Sequence, residues 1–211
     1  MKNLKSKTSK DSNYHDYVIK DGESVGKFEK MYQNIDDPWM QSVQPNRYSR
    51  NAGIIHIKNF DIKSILEVGC GLGYYANRIY KETSIVPKSI DLSETAISRA
   101  KELFPHLDFE LADVTKDIDS YKNLNAILLS EVIWYILPDL KALFKNLNAS
   151  FKGKYLIVNQ VFYKGSQKYG TEYFTDLKGF IEFVPFELLA YSESSATEDS
   201  TIETSTIFKI N

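Results

Sequence analysis

The sequence predicts an α/β fold built on a mostly parallel sheet, and three observations predict it. Short apolar runs alternate with helix-period segments from Ser64 to Val161. Such alternation implies parallel strands joined by right-handed crossover helices. A glycine-rich turn, Gly69-Cys70-Gly71-Leu72-Gly73, stands where the first apolar run stops and a helix begins. The C-terminal stretch breaks the alternation. Glu187–Ser192 and Ile202–Ile210 read as strands flanking the polar turn 193–200, which makes an antiparallel hairpin at one sheet edge.

Taken in order, residues 1–13 are mostly Lys, Ser, Thr and Asn and read as a disordered tail. Residues 14–211 read as a single domain. Within it, 14–60 form a helical cap and 61–211 the core. The cap is broken at Asp36-Asp37-Pro38 and Gln44-Pro45, because a proline disfavours helix in the residue before it. Its last helix runs over 46–60. In the core, Ile65–Val68 is the first strand and Tyr74–Lys81 the first helix. Ile85–Asp91 is the second strand. Ser93 caps the helix Glu94–Phe104 by accepting from a backbone N–H. Leu107–Glu110 and Asn125–Ser130 are further strands. Asp139–Ala149 carries Leu140, Leu143, Phe144 and Leu147 at the i, i+3, i+4, i+7 spacing of a core-facing helix. Tyr155–Val161 is the fifth strand.

Composition narrows the function classes. The chain has 211 residues, 43% hydrophobic and 26% charged, which is ordinary globular usage. Twenty-six basic residues face 28 acidic ones, for a net charge of -2. That lacks the basic surplus of duplex nucleic-acid binders, so no nucleic-acid partner is expected. The single cysteine, Cys70, excludes an intrachain disulfide framework and a multi-thiolate zinc site. His15, His56 and His106 show no ligand spacing, so no metal is expected. Apolar runs such as Val132–Leu137 are too short to span a bilayer. The basic stretch Met1–Lys10 precedes no apolar segment, unlike a secretory signal. The expectation is a cytoplasmic protein with no membrane partner, either a monomer or a homodimer.

The glycine turn carries the chemistry. Three alternate glycines let the backbone turn sharply and approach a ligand closely. The helix that follows starts with N–H groups and a positive dipole end, which suit a carboxylate or phosphate. Gly71, Gly73 and Ala76 even match the dinucleotide pattern G-x-G-x-x-A. Two features point elsewhere. Glu67, two residues before Gly69, would repel a pyrophosphate but attract an amino group through water or backbone. The turn also follows a long, largely helical stretch, whereas dehydrogenase nucleotide domains often begin with this strand. Asp91 ends the second strand about 20 residues on, where an acid can accept from both ribose hydroxyls of an adenosyl group. NAD would use the same acid, and a local capping role is the alternative. Asp113, after the third strand, can accept from an adenine amino group while the Val114 backbone donates to the ring; a plain loop Asp is the other reading.

These segments resemble the class I S-adenosylmethionine-dependent methyltransferase family. The residues are Ile65-Leu66-Glu67-Val68-Gly69-Cys70-Gly71-Leu72-Gly73, Ile90-Asp91-Leu92-Ser93, Leu111-Ala112-Asp113-Val114 and Leu128-Leu129-Ser130-Glu131-Val132, in the family's order and spacing. The resemblance covers residues 60 to 162 and implies a Rossmann-like seven-stranded sheet, completed by the C-terminal hairpin. It implies S-adenosylmethionine as cofactor, with Glu67, Gly69, Gly71 and Gly73 at its methionine part. Asp91 and Leu92 would hold its ribose, Asp113 and Val114 its adenine, and Ser130 would lie near the sulfonium. Asp37-Pro38-Trp39, followed by Arg47 and Arg50, also resembles the start of nodulation-type N-methyltransferases acting on amino sugars. There the tryptophan and a following arginine help close the cofactor pocket, a role this likeness implies for Trp39 and Arg50, although the spacing also allows Arg47.

The acceptor side is read from position. Glu131, Trp134 and Tyr135 follow the fourth strand at the carboxyl edge of the sheet, where open parallel sheets bind ligands. Glu131 could take an acceptor proton, and aromatic faces could hold a sugar or an ammonium. Tyr32 could reach the acceptor too. Structural hydrogen bonding and core packing are the other readings of all four. Tyr163, Lys164, Tyr169, Tyr173 and Phe174 read as a lid over the same edge or as packing. The expected reaction moves a methyl group to a small-molecule substrate, the amine or hydroxyl of a sugar or a phosphorylated metabolite. Two alternatives stay open: an idle cofactor-binding scaffold, marked by binding without turnover, and a nucleotide-dependent oxidoreductase, marked by a nicotinamide fluorescence change.

Overall fold

The structure, a computed structural model, describes residues 14–44, 46–165, 167–197 and 200–211. The tail expected over 1–13 lies outside the described residues. A single 3-10 turn, Tyr14–Asp16, opens the described chain. The strands β1 (Ile19–Lys20) and β2 (Glu23–Ser24) follow as a small antiparallel hairpin. The cap, expected to be helical with breaks near its prolines, thus also carries a short strand pair. The turn is Asp21-Gly22, with φ of 53° and 85°. An Asp-Gly pair with both residues left-handed is the favoured two-residue hairpin turn. Helix α1 (Phe28–Asn34) ends ahead of Asp36-Asp37-Pro38, as expected, and α2 is Tyr48–Asn59.

The core then alternates: β3 (Ile65–Val68), α3 (Tyr74–Thr83), β4 (Lys88–Asp91), α4 (Glu94–Leu103), β5 (Asp108–Leu111), α5 (Val114–Asp117), β6 (Ala126–Ser130), α6 (Leu140–Ser150), β7 (Tyr155–Tyr163), α7 (Leu177–Phe183), β8 (Glu187–Ser194) and β9 (Thr201–Lys209). The short helices α5 and α7 had no periodic signal long enough to read. One seven-stranded sheet has the order β5-β4-β3-β6-β7-β9-β8. Pairing is parallel from β5 to β7, and β9 is antiparallel to both its neighbours. The central strands are buried on both faces, so Ile65-Leu66 and Ile127-Leu128-Leu129 are apolar without alternation. Ser93 caps α4 as read, accepting from the Ala96 N–H at 3.1 Å. On α6, Leu140, Leu143, Phe144 and Leu147 are all buried. Each such side chain stabilises the fold by about 1.5–3 kcal/mol through burial alone.

Chain order places the site. From β3 the chain steps outward to β4 and β5, then crosses back to β6 on the other side of β3. The crevice above the carboxyl ends of β3 and β6 is therefore the topological switch point, where such sheets bind ligands. The loops after these strands approach closely: a Cβ on Gly69 would run into the Val132 side chain.

Candidate active site

A cavity of about 620 Å³ opens above that switch point. Its floor includes Gly69 after β3, Asp91 and Leu92 after β4, Asp113 and Val114 after β5, and Ser130 and Glu131 after β6. The cap supplies Tyr32, Trp39 and Arg50, and the segment after β6 supplies Trp134 and Tyr135. Twelve of the residues singled out in the sequence thus meet in one space. Glu67, Gly71 and Gly73 lie behind its wall.

The turn after β3 is held almost wholly by its own protein. Gly69, Gly71 and Gly73 have φ of 72°, 54° and 80°, a left-handed conformation that glycine adopts at no steric cost. The Gly69 and Cys70 N–H groups both donate to Ile90 O, at 2.8 and 3.1 Å. The Gly71 N–H donates to Asp91 Oδ2 at 2.9 Å and the Leu72 N–H to Gln41 Oε1 at 2.8 Å. The Gly73 N–H donates to Cys70 O at 3.0 Å. All five turn N–H groups are therefore engaged within the protein. The room the glycines leave is taken by protein too: a Cβ on Gly71 would lie 2.6 Å from Tyr32 Oη, and one on Gly73 would lie 2.5 Å from the Phe109 ring. What this stretch of the turn can offer a ligand is carbonyl oxygen, an acceptor.

Two carboxylates, Glu67 and Asp91, flank the turn, and a third, Asp113, stands after β5. Glu67 is buried on β3, where Ser89 Oγ donates to it at 2.9 Å. Burial pushes its pKa up to about 7, opposed by the Ser89 hydrogen bond and the charge of Arg50. Asp91 accepts from Ser93 N as well as Gly71 N, each at 2.9 Å, so it ties the turn to the start of α4. Burial raises its pKa, against those backbone hydrogen bonds. Asp113 caps α5: Oδ1 accepts from Thr115 N at 3.0 Å, and Oδ2 from Lys116 Nζ at 2.6 Å.

The β6 side has a different character. Glu131 adopts φ of 61°, and its N–H donates to Asn159 O at 2.8 Å, which turns the chain sharply out of β6. Its Oε1 lies 3.6 Å from Arg50 Nη2 and 3.8 Å from Arg47 Nε, ion-pair contacts without a hydrogen bond. Arg47 also pairs with Glu203 at 3.4 Å. Glu203 accepts from Ser49 N and Oγ, at 3.0 and 2.9 Å, and so pins the start of α2 to β9. Trp134 donates its indole N–H to Val161 O at 2.9 Å and packs edge-on against Phe162. Tyr135 is packed by Phe28 and Trp39, with ring centroids 5.2 and 5.8 Å away, and Trp39 in turn by Tyr14 at 5.0 Å. Burial and the nearby Tyr163, Tyr14 and Glu131 push the Tyr135 phenol well up. Tyr163 and Tyr169 line the cavity as the lid reading expected, whereas Phe174 is buried in the main core.

Gln41, Gln160 and Tyr14 are among the cavity residues that escaped the sequence reading. Gln160 is fully buried on β7, and its Oε1 has no hydrogen-bond partner among the described residues. No pattern marks a lone glutamine in a strand or a loop. Only the register of β7 on β6 and the return of the cap bring these side chains to the site. Among the described residues no group of His, Cys, Asp and Glu could hold a metal, and no helix is long and apolar enough to cross a membrane.

Residues 65–153, the segment that builds the cavity floor, match a family model described as "Methyltransferase domain". No curated protein matches the chain in sequence. Among solved structures, the N-methyltransferase NodS from Bradyrhizobium japonicum, in complex with S-adenosyl-L-homocysteine, is similar with a TM-score of 0.66 at 14% identity, over 87% of this chain and 97% of that one. A TehB-like SAM-dependent methyltransferase from Corynebacterium glutamicum is similar with a TM-score of 0.61 at 18% identity, over 85% and 97%. The MccD protein gives 0.61 at 15% identity, over 78% and 97%. The domain match runs through the glycine turn and both flanking strands, so residues 65–153 resemble a methyltransferase domain, and the fold is one shared with S-adenosylmethionine-dependent methyltransferases.

Proposed function

We propose that the cavity holds S-adenosylmethionine along the β3–β5 edge and a small acceptor along the β6–β7 edge, and that the acceptor is an amine or hydroxyl of an uncharged or cationic molecule. The observation that carries the cofactor half is the engagement of every N–H from Gly69 to Gly73 inside the protein. A turn whose N–H groups are all taken suits an ammonium group at its carbonyls and gives a pyrophosphate no donor from residues 69–73. This separates the reading from a nucleotide-dependent oxidoreductase. In this reading Asp91 takes the ribose hydroxyls with the lone pairs its backbone contacts leave, and Val114 and Leu92 flank the adenine. Trp39 and Arg50 cover the methionine end from the cap.

The acceptor half rests on two buried oxygens. Glu131 Oε1 and Gln160 Oε1 accept no hydrogen bond among the described residues, and both side chains line the cavity. Buried acceptors left without hydrogen bonds cost stability, so they suit a ligand that brings N–H or O–H donors. The lining carries three cationic side chains, Arg47, Arg50 and Lys168, against four carboxylates, Asp21, Asp91, Asp113 and Glu131. That balance disfavours a phosphorylated acceptor.

When bound, the cofactor supplies a methyl group already activated on a sulfonium. The chain's own work is then alignment and exclusion of water. Holding two reactants in line can supply roughly 7–11 kcal/mol in favourable cases. Glu131, fixed by Arg47 and Arg50, accepts a hydrogen bond from the incoming amine, or the proton of an incoming hydroxyl. The Tyr135 and Trp134 rings form the wall against which the acceptor lies, and the Tyr135–Trp39–Tyr14 stack screens that wall from solvent.

The test is calorimetry with S-adenosylhomocysteine and with NADH, followed by a screen of amines, alcohols and sugar phosphates with labelled S-adenosylmethionine. The reading expects the first ligand alone to bind and labelled product from unphosphorylated acceptors. Binding of NADH in its place ends the methyltransferase assignment. Cofactor binding with labelled product from sugar phosphates alone ends the acceptor assignment.

A further inference from the structure

The turn that meets the cofactor is not completed by the Rossmann-like core. Two of its backbone groups are satisfied from the cap by one side chain. Gln41 Oε1 accepts from the Leu72 N–H at 2.8 Å, and Gln41 Nε2 donates to Cys70 O at 3.3 Å. The amide therefore bridges both sides of Gly71, 31 residues ahead of Leu72 in the chain. The side chain is 6% exposed and lines the cavity. Gly71 is left-handed at φ of 54°, and a Cβ there would lie 2.6 Å from Tyr32 Oη and 2.9 Å from both Gln41 amide atoms.

The cap is shaped to present this residue. Asp37 Oδ1 accepts from the Gln41 N–H at 2.8 Å, and Asp37 Oδ2 accepts from Ser42 N and Oγ, at 2.8 and 2.6 Å. Met40 is left-handed at φ of 51°, which turns the chain towards the glycine loop. Tyr32 Oη stands beside the same glycine.

We propose that Gln41 is a positioning and specificity residue for the cofactor. By taking the Leu72 N–H it removes an anion-binding donor from the turn. By donating to Cys70 O it fixes how the remaining carbonyls face the methionyl ammonium. The proposal rests on the cofactor reading given above.

The experiment is calorimetry with S-adenosylhomocysteine on the full-length protein and on Gln41→Met and Gln41→Glu. Methionine keeps the volume of the side chain and loses both hydrogen bonds. Glutamate keeps an acceptor for Leu72 and places a second oxygen against Cys70 O. Affinity at least tenfold weaker in both variants, with the far-ultraviolet spectrum unchanged, is the expected result. Wild-type affinity in Gln41→Met would reduce the residue to a space filler and overturn the proposal. Should the variants not fold, hydrogen exchange on the unliganded wild type decides: the Leu72 amide is expected to be as protected as those of Gly69 and Cys70, and rapid exchange there overturns the proposal. Failure of the wild type to bind S-adenosylhomocysteine is a separate result that removes the cofactor reading itself, and the proposal with it.

Discussion

The Gly71 N–H donates to Asp91 Oδ2 at 2.9 Å and so joins the turn after β3 to the end of β4. The other carboxylate oxygen accepts from the Ser93 N–H at the start of α4. One acid thus sets the spacing between the glycine turn and the start of α4. Asp91→Ala leaves two N–H groups without their acceptor, at about 1–3 kcal/mol each. The expected outcome is a lower melting temperature together with S-adenosylhomocysteine affinity more than tenfold weaker. Calorimetry and thermal melting on the same sample read both. Unchanged affinity would confine Asp91 to a structural role.

Gly73 and Gly153 make a controlled pair. Both are left-handed, at φ of 80° and 78°, but a Cβ on Gly153 would meet nothing within 4 Å whereas one on Gly73 would lie 2.5 Å from Phe109. Gly153→Ala should cost the conformational term alone, about 1–2 kcal/mol. Gly73→Ala should cost a further 1–3 kcal/mol or so from overpacking. Urea denaturation of the two variants measures the difference. Equal losses would mean that the Phe109 contact relaxes without cost.

Glu67 makes stability depend on pH. Burial raises its pKa from 4.5 to about 7 in the folded state. The folded protein therefore holds a proton that the unfolded chain releases between about pH 4.5 and 7. Its contribution is fully present below that window and is lost as pH rises through it. Glu67→Gln, which stays neutral, should flatten the melting-temperature profile across this range. A variant profile that parallels the wild type would show that Glu67 does not carry the dependence.

Glu29 works in the opposite sense. It accepts from Ser93 Oγ at 2.7 Å, Thr95 N at 3.1 Å and Thr95 Oγ1 at 2.6 Å, and so fastens α1 to the start of α4. Burial pushes its pKa up, but the Thr95 and Ser93 hydrogen bonds prevail and bring it from 4.5 down to about 2. Its stabilising effect is present above pH 4.5 and is lost as pH falls towards 2. Glu29→Gln should melt lower at pH 7 and expose residues 17–41 to protease, with the gap closing below about pH 4. A gap that does not depend on pH would place the loss in packing.

Local pattern determined much of this protein. The apolar runs at β3 and β6, the stripe on α6 and the Ser93 cap are short-range consequences of residue order, so they were legible without coordinates. The glycine turn and the acids at Glu67, Asp91 and Asp113 were legible too, because strand-turn-helix units place them at fixed distances along the chain. The hairpin at Asp21-Gly22 carried a local signal that was lost among prolines and helix formers. The tertiary structure alone decided which turn groups remain for a ligand. The Leu72 N–H looks available in sequence and is taken by Gln41, from a segment whose return to the turn no local pattern encodes. It also decided the setting of Glu131, whose arginine neighbours come from α2 and whose bond to Asn159 comes from β7. Hydrogen bonds and ion pairs between distant segments depend on how the layers pack, and packing is a property of the whole chain.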